Sequence, residues 1–200
     1  MVFYLPSISA FLAPGERPPT GGAETQIFLL ARELARRGHR IGVVCFPVPG
    51  GVPPETDGIS AITRPPPQWR RIGPLGKMLE VLAIWHTFVH FQTPVVVQRS
   101  SGFETGLVAL AARLRGMSFI YSSASVADFE YERLDQGRRN RLLFHLGVRL
   151  AETIVVQSSE QVGLCQPRFG RTPTLIRSAT AAHASRVPVD RTPRFVQAAA

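Results

Sequence analysis

The chain has 200 residues, of which 44% are hydrophobic, and a formal net charge of +9. That length suits one domain or slightly more, and the apolar content is too high for a disordered chain. Lys77 is the only lysine among the 23 basic residues. A positive surface favours anionic partners: nucleotides, sugar phosphates, acidic lipid headgroups or nucleic acid.

MVFYLPSISAF has no basic leader and is followed at once by prolines and glycines. It reads as a first strand over Val2 to Leu5, not as a signal peptide. Ile27, Leu30, Ala31 and Leu34 recur at helical spacing, with Arg36 and Arg37 in the last turn and Gly38 as the stop. Ile41 to Phe46 is the second strand and Ile59 to Thr63 a third. PPPQWRRIGPLG, from Pro65 to Gly76, reads as a surface loop. Leu75 to Phe91 reads as a helix, too polar at Lys77, Glu80, His86 and His90 to span a bilayer.

Val95 to Gln98 is the fourth strand. The next helix carries Leu107, Leu110, Ala111 and Leu114 and stops at Gly116. Phe119 to Ser122 is the fifth strand. Gly137 to Arg141 (GRRNR) opens a helix as a solvated basic face, and Leu142, Leu143, Leu146 and Leu150 form its apolar stripe. Ile154 to Gln157 is a strand, Ser158 or Ser159 caps the helix through Cys165, and Thr174 to Ile176 is a last short strand. Cys45 and Cys165 stand apart in apolar contexts, as core residues of a reducing compartment rather than a disulfide or zinc pair.

Strand and helix alternate in the order of a doubly wound, mainly parallel Rossmann-like α/β sheet with helices on both faces. Such sheets bind ligands beyond the carboxyl ends of their strands, where strand order reverses. With order 3-2-1-4-5, that crevice lies between the loops after the first and fourth strands. Those loops hold Gly21-Gly22 and Arg99-Ser100-Ser101-Gly102.

Two glycines before a helix N-terminus let backbone amides approach an anion, which the helix dipole also favours. A plain flexible turn is the competing reading. Glu24 suits the first helical turn or a ligand hydroxyl. Arg99 is placed to meet an anionic ligand or an ordinary ion-pair partner. Ser123 and Asp128, after the fifth strand, suit sugar recognition or a loop that caps a helix. The chain has no GxGxxG, no GK[ST] and no GxSxG. His86 and His90 lack the glutamate of a zinc-protease motif. Nothing resembles an RNP pair, a zinc finger or a recognition helix, so no nucleic-acid partner is expected.

PPTGGAETQIFLLARELARRGHRIGVVCF resembles the opening of family-4-type retaining glycosyltransferases of the GT-B fold. VVVQRSSGFETGLVALAARLRG and AETIVVQSSEQVGLCQPRFGRTPTLIRSA resemble the family's later strand–helix units, so that most of residues 1 to 180 is covered. The resemblance implies transfer of a sugar from a nucleotide-sugar to an acceptor with retention. Gly21 and Gly22 would lie against the donor diphosphate. The acceptor, a sugar or lipid-linked compound, would meet Glu24, Arg99, Ser100, Ser123 and Asp128. No metal or other cofactor is expected, since amides and basic side chains would neutralise the diphosphate.

The sequence departs from the family where SSAS replaces a histidine after the fifth strand and Arg177-Ser178-Ala179 replaces Asn–Gly. Residues 1–180 are expected to form the N-terminal, acceptor-side domain, with 181–200 leading toward a donor-binding domain, so that this chain alone is inactive. The alternative is a non-catalytic Rossmann-like module that binds a phosphorylated ligand or a partner subunit. The expected location is cytoplasmic, with peripheral contact at the inner membrane face through Leu75 to Phe91 and Trp69-Arg70-Arg71. Core packing competes for that helix.

Overall fold

The computed structural model describes residues 1–13, 21–64, 73–89, 91, 93–99, 101–133 and 137–178. Most of the expected proline-rich loop, with Trp69, Arg70 and Arg71, lies outside the described residues, as do His90, Ser100 and 179–200.

The strands are β1 (Val2–Tyr4), β2 (Ile41–Cys45), β3 (Glu55–Thr56), β4 (Ile59–Thr63), β5 (Val95–Arg99), β6 (Ser118–Ser122), β7 (Thr153–Val156) and β8 (Thr174–Leu175). They form one sheet in the order β3-β4-β2-β1-β5-β6-β7-β8. Every pairing is parallel except the short β3–β4 hairpin, which the sequence reading did not foresee. A two-residue strand is too short to show a period. Without β3 the order is the expected one, and it reverses between β1 and β5.

The helices are α1 (Ser9–Leu12), α2 (Gly22–Arg36), α3 (Gly73–Val89), α4 (Glu104–Leu114), α5 (Gly137–Leu150) and α6 (Ser159–Phe169), with 3₁₀ turns over Pro6–Ile8 and Val126–Arg133. Gly38 and Gly116 follow α2 and α4 with positive φ, the left-handed backbone that glycine adopts without strain. Ser158 caps α6 by accepting the Gln161 amide at 3.2 Å.

Side chains alternate across the sheet, as strand geometry requires. One face carries Val2, Tyr4, Val44, Val96, Phe119, Tyr121, Ile154 and Val156 into a core with Ile84, Phe88, Leu107, Phe144 and Cys165. The other face carries Phe3, Val43, Cys45 and Val97 against Phe11, Ile27, Phe28 and Ala31 of α1 and α2. Helices α3, α4 and α5 cover the first face. On the second face Ile120 of β6 and Val155 of β7 are only partly buried, although parallel sheets ordinarily bury both faces.

Only half of the apolar stripe expected on α5 packs: Leu143 and Leu150 are partly buried against the core, and the rest of the contact is made by other residues. Phe144, Gly147 and Val148 are buried, whereas Leu142 and Leu146 are exposed. Small residues set this rotation. A Cβ at Gly147 would stand 2.6 Å from the Thr105 carbonyl oxygen, and one at Gly106 2.2 Å from that of Leu143. Helices α4 and α5 therefore touch backbone to backbone, and the glycines, not the leucines, select the contact face.

Candidate functional site

Where strand order reverses, the carboxyl ends of β1 and β5 border a cleft of about 240 Å³, lined by Tyr4, Ser7, Phe46, Gln98, Arg99 and Glu104 among others. Behind Tyr4 in the cleft wall lies a buried polar pair, Arg64 and Glu80, that does not itself line the cleft. The Arg64 Nη1 group donates to the Tyr4 hydroxyl at 3.0 Å and to Glu80 Oε1 at 2.5 Å. Burial raises the Tyr4 pKa to about 12, with the Glu80 charge adding to it and Arg64 opposing. Burial lowers the Arg64 pKa, but the hydrogen bond it donates to Glu80 and the Tyr4 contact outweigh it and the net shift is upward.

Arg99, the last residue of β5, is also buried. Its Nη1 donates to Ser122 Oγ at 3.2 Å, and its Nε has no partner. Among the described residues no carboxylate lies within ion-pair distance of it. Burial lowers its pKa despite the fields of Asp128, Tyr121 and Glu24. Gln98 Oε1, on the neighbouring residue in the cleft wall, is a second buried atom without a partner.

Gly21 is the N-cap of α2, with no side-chain cap bond, but the Glu24 carboxylate folds back over it: a Cβ at Gly21 would stand 2.8 Å from Glu24 Oε2. The Gly21 φ of −63° is open to any residue, so conformation does not demand glycine here. A Cβ at Gly22 would meet nothing within 4 Å. Gly22 thus supplies bare backbone, and Gly21 supplies the room that the Glu24 carboxylate fills. Glu24, one turn in, accepts from Ser7 Oγ at 2.8 Å, which ties the helix start to the cleft wall. The glycine doublet thus stands beside the sheet's carboxyl rim.

Ser123 and Asp128 are buried and bonded to each other. Asp128 Oδ2 accepts from the Tyr121 hydroxyl at 3.2 Å, the Ser123 hydroxyl at 3.1 Å and the Ala124 amide at 2.6 Å. This clamp holds the loop after β6, and neither residue lines the cleft. Of the residues expected at the site, the cleft collects Arg99 directly and Glu24 through Ser7, while Ser100 lies outside the described residues.

A profile of the glycosyl transferase 4-like domain matches residues 21–179. The chain belongs to that family. The match opens on Gly21 and so takes in the glycine pair, the rim of β5 and the Asp128 clamp. A glycosyl transferase 4-like domain is a glycosyltransferase-type module, and the cleft sits where its sheet opens. No curated protein matches the chain. Among the described residues no helix is long and apolar enough to cross a membrane.

Tyr4, Arg64, Glu80 and Gln98 escaped the sequence reading. Glu80 is the only acid within α3, and an isolated acid in an apolar helix is a sign of a buried partner. Gln98 breaks a run of valines at a strand's carboxyl end, the position that faces a ligand in this fold.

Proposed function

We propose that the chain is the acceptor-side domain of a retaining glycosyltransferase that moves a sugar from a nucleotide-sugar to an acceptor, releasing the nucleoside diphosphate. The observation that carries this reading is the uncapped start of α2 beside the rim cleft. Exposed amides of the first helical turn, with the helix dipole behind them, favour the diphosphate as its negative charge grows on leaving. Gly22 leaves room for the phosphate oxygens to approach that backbone, and the Glu24 carboxylate over Gly21 has to swing aside for them to reach it as well. Glu24 and Arg99 face the acceptor, with Ser100, next in sequence to Arg99, proposed to join them. Ser123 and Asp128 act at one remove, by holding the loop after β6. The residues on hand need no metal to bind a diphosphate, and residues 1–180 form the domain, with 181–200 leading toward the donor-binding partner.

Titration of the chain with a nucleoside diphosphate tests the reading. Weak binding is expected, with Gly22→Asp reducing it about tenfold or more by placing a carboxylate at the helix start. Undiminished binding in Gly22→Asp would remove the phosphate role of the doublet. The isolated chain is expected to show little or no sugar transfer, and robust turnover would contradict the split of function between domains.

The location is proposed as cytoplasmic, with contact at the membrane's inner face. The outer side of α3 supports this: Leu75, Met78, Leu79 and Leu82 are each about half exposed along one stripe. Co-sedimentation with vesicles containing acidic lipid is expected, and Leu79→Glu is expected to weaken it.

A further inference from the structure

Two charged groups at the rim cleft have not found each other. Glu24 is the first. Its Oε1 accepts from Ser7 Oγ at 2.8 Å, and its Oε2 stands 2.8 Å from where a Cβ on Gly21 would be. A carboxylate therefore rests over the start of α2, at the place the helix dipole prepares for an anion. Arg99 is the second. It is 8% exposed, its Nη1 donates to Ser122 Oγ at 3.2 Å, and its Nε has no partner. Ser7 and Arg99 line the same cleft, so the carboxylate that Ser7 holds and the guanidinium border one space.

A buried guanidinium is ordinarily matched by a carboxylate. Asp128 and Glu24 are the carboxylates whose fields act on Arg99. Asp128 is committed to Tyr121, Ser123 and the Ala124 amide. Glu24 is held by the exposed Ser7 hydroxyl, and among the described residues it forms no ion pair with Arg99. A phosphate reaching the Gly21 backbone cannot share that space with the carboxylate. Both are anions, and like charges in contact repel more strongly as water is excluded. Rotation about the Glu24 side-chain torsions frees the glycine without moving the helix. Arg99 then offers the displaced carboxylate a planar fork of donors.

We infer that Glu24 is a displaceable placeholder for the diphosphate: when the anion reaches the start of α2, the Glu24 carboxylate leaves Ser7 and pairs with Arg99. This deepens the glycosyltransferase reading and rests on it for the diphosphate. Glu24 is then a positioning residue with two states. In the free chain it fills the anion position at the helix start. In the bound chain it fixes Arg99, so the wall offered to the acceptor is completed only once the diphosphate is in place. An arginine left bare in the free chain is what this exchange requires, since a partner already there would keep the carboxylate out. Glu104 supplies a comparison. It lines the same cleft, and its Oε2 stands 2.5 Å from where a Cβ on Gly102 would be, but its field acts on Lys77 and Tyr4 rather than on Arg99.

The test is calorimetric titration of the 200-residue chain with inorganic pyrophosphate. Glu24→Gln keeps the side chain's shape and removes its charge, and is expected to bind about fivefold tighter than the unaltered chain. Ser7→Ala, which removes the catch at an exposed position, is expected to bind about twofold tighter. Glu104→Gln takes the same charge from the same cleft and is expected to gain less than Glu24→Gln; an equal gain would reduce Glu24 to one of two like charges and overturn the placeholder. Arg99→Met is expected to lose about fivefold with Glu24 present and clearly less in the Glu24→Gln background. An equal loss in both backgrounds would mean that Arg99 holds the anion itself, against the exchange. The Arg99 Nε–H signal in nuclear magnetic resonance, assigned by its loss in Arg99→Met, is expected to move on pyrophosphate addition in the unaltered chain and to stay in Glu24→Gln. Pyrophosphate binding that Glu24→Gln leaves unchanged overturns the placeholder alone. Failure of both forms to bind removes the diphosphate reading and the placeholder with it, so the two failures are distinguishable.

Discussion

Arg64 and Arg99 stand at the carboxyl ends of β4 and β5, and they are 9% and 8% exposed. Their surroundings differ in one respect. Arg64 points to the face covered by α3 and meets Glu80 at 2.5 Å and the Tyr4 hydroxyl at 3.0 Å. Arg99 points to the face that α2 only half covers and has one hydroxyl and a bare Nε. The net pKa shift runs upward for Arg64 and downward for Arg99. One guanidinium is tied into the framework, whereas the other has a single hydroxyl partner and an unsatisfied Nε among the described residues.

The paired side gives the largest effect. Glu80→Leu leaves Arg64 buried with only a phenol, and breaking such a pair costs about 3–5 kcal/mol. Urea denaturation should show that loss, whereas Arg64→Met/Glu80→Leu together should return to within about 1 kcal/mol of the unaltered chain, because two apolar groups need no counter-charge. If the double variant is as unstable as the single, the pair does more than balance its own charges.

The same side sets a limit at alkaline pH. Tyr4 holds its proton to about pH 12 in the fold, against an ordinary 10.0, and Cys45 to about 11 against 9.0, chiefly through burial. Both folded pKa values are raised, so the stabilisation is present below the unfolded values and is lost as pH rises through the folded ones. Stability should therefore fall from about pH 9 and keep falling to about pH 12, with Tyr4 contributing about 2–3 kcal/mol. Tyr4→Phe should flatten the upper part of that decline, from about pH 10, and leave the Cys45 part below it. An unchanged slope in Tyr4→Phe would place the alkaline loss elsewhere.

Much of this sheet could be read from the chain. Runs such as Val95 to Gln98, separated by helical periods, report burial on both faces, and parallel order follows from alternation. The switch point followed from order alone, and with it the rim position of Gly21 and Arg99. What was hidden depends on contacts between distant residues. Leucines at helical spacing marked α5 correctly as a helix but not its buried side, because Gly106 and Gly147 decide that through a backbone approach no period reveals. Asp128 looked available for a ligand, yet Tyr121 of β6 and Ser123 and Ala124 of its own loop occupy it as donors. Whether an arginine is paired is likewise invisible locally: Glu80 is 16 positions from Arg64, and among the described residues nothing comparable reaches Arg99.

The smallest expected change in stability is at Arg99, and its sign carries the comparison. Arg99→Met keeps the stem that packs between β5 and β6 and removes a charge with an unsatisfied donor, a liability of about 1–3 kcal/mol. Asp128 keeps its three hydrogen bonds, so the change strands no carboxylate. Ser122 Oγ loses the donor that Arg99 supplies, which offsets part of the gain. The unliganded variant should therefore denature at the same urea concentration as the parent or a higher one, by about 1 kcal/mol. A framework arginine would behave in the opposite way, as Glu80→Leu tests from its partner's side. A loss of more than about 2 kcal/mol in Arg99→Met would make the two arginines alike and return Arg99 to the scaffold.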